Sequence, residues 1–132
     1  MEQPPVRPRA IKQFEAFWIG SICLSVLQIA IVTIWPTRFG YGPLYLGLIG
    51  VPLATALGLW VSRGRSNVAK WMILILVAGG LPGVLEVVAK GTAIGSRVVL
   101  VAQTIAQVAA VTFLFASSAR EWLRRPAASV RP

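Results

Sequence analysis

Hydrophobic residues in this chain fall into four long runs, separated by short polar or turn-rich stretches. The first, residues 16–35 (AFWIGSICLSVLQIAIVTIW), carries no formal charge across twenty residues. At about 1.5 Å per residue it reaches about 30 Å, the hydrocarbon thickness of a bilayer. Similar runs occupy residues 44–62, 71–89 and 98–117. Pro36 ends the first run, TRFGYGP (37–43) reads as a turn, and RGRSNVAKW (63–71) and KGTAIGSR (90–97) separate the rest. Outer-membrane strands need only about ten residues with in–out alternation, which these runs lack. The pattern predicts an all-α integral membrane four-helix bundle built as two transmembrane hairpins.

That bundle is expected over residues 12–125, between polar tails at 1–11 and 126–132. The first run exceeds the usual apolar core of a signal peptide and lacks a small-residue cleavage site after it. It is therefore expected to stay as a helix. In the second run Gly50, Ala54, Gly58 and Ser62 recur every fourth residue, a small-residue stripe suited to close helix packing. Ala102, Ala106 and Ala110 form a second stripe. Pro82, within GGLPG at 79–83, should bend the third helix. The fourth should continue as a straight helix to Arg125.

Composition strengthens the membrane reading. The 132 residues are 56% hydrophobic and only 13% charged, with a mean hydropathy of +0.73. A soluble domain carries about a quarter charged residues. The net charge of +9 would point to nucleic acid in a soluble protein. Here the cations flank apolar runs, where the positive-inside rule and anionic headgroups place them, so no nucleic-acid partner is expected.

Charge also orients the chain. Ten of the thirteen basic residues lie in the N-terminal flank, the central loop and the C-terminal tail, and three (Arg38, Lys90, Arg97) lie in the other two loops. Both termini and the central loop are therefore expected on the cytoplasmic side. Arg63, Arg65 and Lys70 serve as topology anchors there, or hold anionic lipid headgroups, with Ser66 or Asn67 as the cap of the third helix.

Few polar side chains interrupt the runs. Gln28, Gln103 and Gln107 are the deepest, and an amide in hydrocarbon needs a partner. Counted inward from Trp35 and Val98, Gln28 and Gln107 lie at comparable depth and are expected to meet as an interhelical clasp. Glu86 lies toward the outer boundary, and Lys90 four residues on suits an outer-interface ion pair. Glu15 opens the first run, where an acid favours the helix dipole. Small multidrug transporters carry their coupling glutamate well inside the membrane, whereas Glu15 sits at its edge. Trp18, Trp35, Tyr41, Tyr45, Trp60, Trp71 and Trp122 fall near helix ends and read as an interfacial aromatic belt.

Catalytic chemistry is hard to assemble from these residues. There is no histidine, Cys23 is the single cysteine, and the four carboxylates (Glu2, Glu15, Glu86, Glu121) are dispersed. No acid–base pair, nucleophile–base pair, metal set or glycine-rich phosphate loop is present in the sequence. No enzyme activity and no cofactor are expected.

Three stretches, FEAFWIGSICLSVL at 14–27, RGRSNVAKWMILIL at 63–76 and FLFASSAREWL at 113–123, together resemble a loose group of uncharacterised small four-helix inner-membrane proteins of bacteria. The resemblance implies a bacterial cytoplasmic membrane and the same four-span layout, and no activity. The expected role is a non-enzymatic accessory or scaffold subunit that binds a membrane protein partner or itself through the small-residue stripes. The alternative is a small oligomeric transporter or channel subunit with a polar path near Gln28, Glu86, Gln103 and Gln107.

Overall fold

The structure is a computed structural model that describes residues 6–34, 42–90 and 94–124. Every regular element among these is a helix: α1 (Arg9–Ile34), α2 (Gly42–Gly64), α3 (Asn67–Ala89), α4 (Ile94–Leu114) and α5 (Ser117–Arg124). The first four are long and apolar enough to cross a membrane by length and composition. Each packs on the next, and α4 closes the ring on α1 through the most extensive interface of the bundle. The tightest helix pair thus joins the two hairpins rather than lying within either.

Several boundaries differ from those expected. Helix α1 starts at Arg9, seven residues before the apolar run. Pro8 lacks an N–H but lends its carbonyl to the Ile11 and Lys12 amides at 3.1 and 3.3 Å, so it starts the helix without having to donate. The first two turns are amphipathic: Ala10, Ile11 and Phe14 are buried, while Arg9, Lys12 and Gln13 face outward. Glu15 consequently lies beyond the first turn, out of reach of the helix dipole that was expected to hold it. Helix α3 is helical through Pro82.

Helix α4 does not run on to Arg125. Phe115 shares its amide between the Val111 and Thr112 carbonyls, and the Ala116 amide goes to Phe113, a 3₁₀-type tightening that ends the helix. The chain then turns into α5, which buries Ala119, Trp122 and Leu123 and exposes Arg120, Glu121 and Arg124. A straight extension would have left that apolar face in water. Folding back lets it cover the end of the bundle against α1 and α4.

The link between α2 and α3 is two residues long. Arg65 adopts φ 50°, a left-handed conformation that costs a residue with a Cβ about 1–2 kcal/mol. Ser66 then caps α3, its hydroxyl accepting the Ala69 amide at 3.2 Å.

Burial is strongly asymmetric along the bundle. The fully buried side chains Ile11, Phe14, Val61, Ser62, Ile73 and Leu114 lie toward the end that holds the α2–α3 link and α5, with Ser21 buried further along α1. Elsewhere the helices carry an apolar exterior, including Ile49, Ile75, Leu85 and Ile105. Hydroxyls along the helices are satisfied within them: Thr33, Thr55, Thr104 and Thr112 each donate to the carbonyl four residues back. This pattern suits helix faces that have no water to bond.

Candidate functional site

The end of the bundle with the α2–α3 link gathers most of the chain's charged and aromatic chemistry. Arg63 is exposed at the last turn of α2. The Arg65 guanidinium lies over the Trp122 ring, 3.9 Å from its centroid, so α5 and the link hold each other. Lys70 is separated from both arginines. It is buried, with Nζ 4.2 Å from the Phe115 ring centroid and 5.6 Å from that of Trp71. The three cations expected as one anchoring set therefore divide: Arg63 is exposed, Arg65 is half-buried over Trp122, and Lys70 is buried against Phe115. Arg7, from the segment before α1, lines the same surface as Arg63 and Arg65. It donates to Glu15 at 3.1 Å, which accounts for that carboxylate.

Trp18 and Trp122 are not members of an interfacial belt. Trp18 is 3% exposed, stacks on Phe14 with centroids 5.7 Å apart, and donates its indole N–H to the Ala54 carbonyl at 2.8 Å. It lies in the small-residue stripe of α2, where Gly58 leaves room for its ring and Ser62 is buried close by. Gly50, at the far end of that stripe, faces open space. The stripe is thus largely occupied by the chain's own α1. Trp60, Trp71 and Tyr45 are exposed as a belt would require, and Trp35 and Tyr41 lie outside the described residues.

Gln28 does link α1 to α4, but through a different partner. Its amide nitrogen donates to Ser96 Oγ at 2.5 Å, and its Oε1 is buried without a donor. Gln107 is eleven residues further along α4, about 16 Å away along the axis. The expected clasp assumed that α4 begins at residue 98 and slides level with the end of α1. Helix α4 instead begins at Ile94, and the residues of KGTAIGSR that were read as loop include the real partner. Gln103 and Gln107 are half-buried on α4. Ser96→Ala should destabilise the purified protein by about 1–3 kcal/mol, since it leaves the whole Gln28 amide unpaired. Gln28→Leu removes the orphaned oxygen as well and should cost less. Thermal unfolding of the two variants gives the order.

Glu86 and Lys90 form the i,i+4 ion pair on the exposed side of α3. Among the described residues no group of three or more His, Cys, Asp or Glu side chains could hold a metal ion. Cys23 is exposed on α1.

Comparison with protein-family models, with characterised proteins and with solved structures finds no match to this chain.

Proposed function

We propose that this chain is a multi-pass protein of the bacterial inner membrane, with both termini and the α2–α3 link in the cytoplasm. It acts without catalysis, as an accessory or scaffold subunit whose helices associate with another membrane protein or with a second copy. The observation that carries this reading is how little of the four spans the chain covers by itself: 17%, 22%, 11% and 11% of an eighteen-residue apolar stretch of each, in chain order. Lipid can cover such faces, but α3 also carries Gly79, Gly80 and Gly83 with open space above each. Glycines four apart let a second helix backbone approach closely. Since Trp18 occupies most of the α2 stripe, α3 is the better docking face.

The polar-path alternative is less well supported. Gln28 is engaged by Ser96, and Glu86 is paired with Lys90 on the exposed side of α3. The dispersed carboxylates and the absence of histidine support a role without catalysis.

A panel of single cysteines in a Cys23→Ser background tests the proposal in native membranes. Gly79→Cys should cross-link to a second copy or to a defined membrane partner, while Val77→Cys, on the buried side, should not. Gly95→Cys should be labelled by an impermeant thiol reagent added from outside. Absence of any adduct at position 79 would sink the association reading, and labelling of Gly95→Cys only from the cytoplasm would reverse the orientation.

A further inference from the structure

A pocket of about 330 Å³ opens at the basic end, lined by Arg7, Ser62, Arg63, Arg65 and Trp122. Every charged group in that lining is a cation. They come from the chain's N-terminal segment, the last turn of α2 and the α2–α3 link. Like charges drawn around one cavity repel each other, so an anion between them would relieve the arrangement.

The donors suit a phosphate. The Arg65 guanidinium lies over the Trp122 ring, and a guanidinium so placed still has N–H groups for a second partner. Arg7 gives one nitrogen to Glu15 and has further N–H groups in its fork. Among the described residues neither Arg63 nor Arg65 is in an ion pair like those of Arg7 with Glu15 and Lys90 with Glu86. Trp122 is 8% exposed and forms one wall of the pocket through its ring.

A second cavity, of about 140 Å³, shares Arg7, Ser62 and Arg63 with the first. It runs between α1 and α2 along Phe14, Trp18, Ile22 and Leu59, with Glu15, the partner of Arg7, also in its wall. Past that one neutralised carboxylate, the cations lead into an apolar groove between two candidate spans. We propose that the pocket binds the phosphate of an anionic phospholipid, whose first acyl carbons lie in the α1–α2 groove. Position agrees with this, because residues 62–65 end a span at headgroup depth on the side where basic residues collect. The inference rests on the multi-pass membrane reading above.

The test uses the purified full chain in detergent, with thermal stabilisation measured against added phosphatidylglycerol, phosphatidylcholine or inorganic phosphate. Phosphatidylglycerol should stabilise at far lower concentration than the other two. Its half-saturating concentration should rise about tenfold in R63Q/R65Q, as expected for the loss of charge-assisted donors to one phosphate. Arg63→Gln alone, at an exposed side chain, should show about a threefold rise and covers the case where the double variant does not fold. R120Q/R124Q removes the same charge from the outer face of α5 and should change affinity by less than about twofold.

Equal losses in the two double variants would mean general surface attraction and overturn the site. So would unchanged lipid affinity in R63Q/R65Q. Inorganic phosphate that displaces phosphatidylglycerol at equal concentration, with Ile22→Gln silent, would make the ligand a free phosphate and overturn the lipid assignment. Recovery of the wild-type chain in the soluble fraction would remove the membrane reading instead, an outcome independent of the variant series.

Discussion

Gly58→Leu is expected to unfold most of the protein at temperatures where the wild type is intact, while Gly50→Ala leaves stability unchanged or slightly raised. Both glycines sit on the same stripe of α2, and replacing either by a residue with a Cβ gains helix propensity of up to about 1 kcal/mol. The difference lies in what faces them. A Cβ at Gly50 meets nothing within 4 Å, whereas one at Gly58 would collide with Cδ1 and Nε1 of the Trp18 indole. That ring cannot step aside cheaply. It is buried, stacked on Phe14 and bonded to the Ala54 carbonyl. Overpacking costs about 1–3 kcal/mol, and displacing the ring also removes its hydrogen bond, about another 1 kcal/mol. Gly58→Ala should show the same sign at smaller size. Thermal unfolding in detergent, followed by circular dichroism, ranks the variants, and a Gly58→Leu protein as stable as wild type would mean that Trp18 does not pack here.

The second large effect belongs to Trp122. Trp122→Ala should lose about 3–5 kcal/mol, because the ring fills the space between α5 and the bundle end and supports Arg65. Trp122→Phe should stay within about 1.5 kcal/mol of wild type. It gives up volume but keeps an aromatic face beneath the guanidinium, and it removes a buried indole N–H that has no acceptor. Such an orphaned donor costs about 1–3 kcal/mol, so its removal offsets much of the lost packing. The two substitutions therefore separate the ring's packing from the cost of the orphaned donor. Equal losses in both would mean that the indole N–H already has a partner.

Charge placement illustrates how far one-dimensional reasoning carries. Arg63, Arg65 and Lys70 are neighbours in a nine-residue stretch and look like one anchor. In three dimensions Lys70 is one helical turn into α3 and sits against Phe115, so it belongs to the packed end of the bundle. Arg7 looks like part of a polar tail, yet Glu15 draws it to the mouth of the pocket. A hint was available: Ala10, Ile11 and Phe14 have helical spacing upstream of the apolar run. It extends α1 and brings Arg7 to the bundle. Nothing comparable marks Ser96 as the partner of Gln28, since a serine near a turn reads first as a loop residue.

The linear order of residues determined the quantities that are themselves linear. Four runs of about twenty apolar residues specify four helices of membrane-crossing length, Ser66 is one of two residues marked as the cap of the third, and Glu86 with Lys90 is a pair by spacing alone. Tertiary structure decided what depends on how helices slide and rotate against one another. These choices include the register that gives Gln28 to Ser96, the facing of Trp18 into Gly58, and the fold-back of α5 onto the bundle end. They also include the gathering of Arg7, Arg63 and Arg65 around one cavity. An apolar helix presents nearly the same hydrophobicity on every side, so periodicity alone does not select the face or the level of contact. Side-chain shape and a few hydrogen bonds select them, and those act only once the helices are side by side.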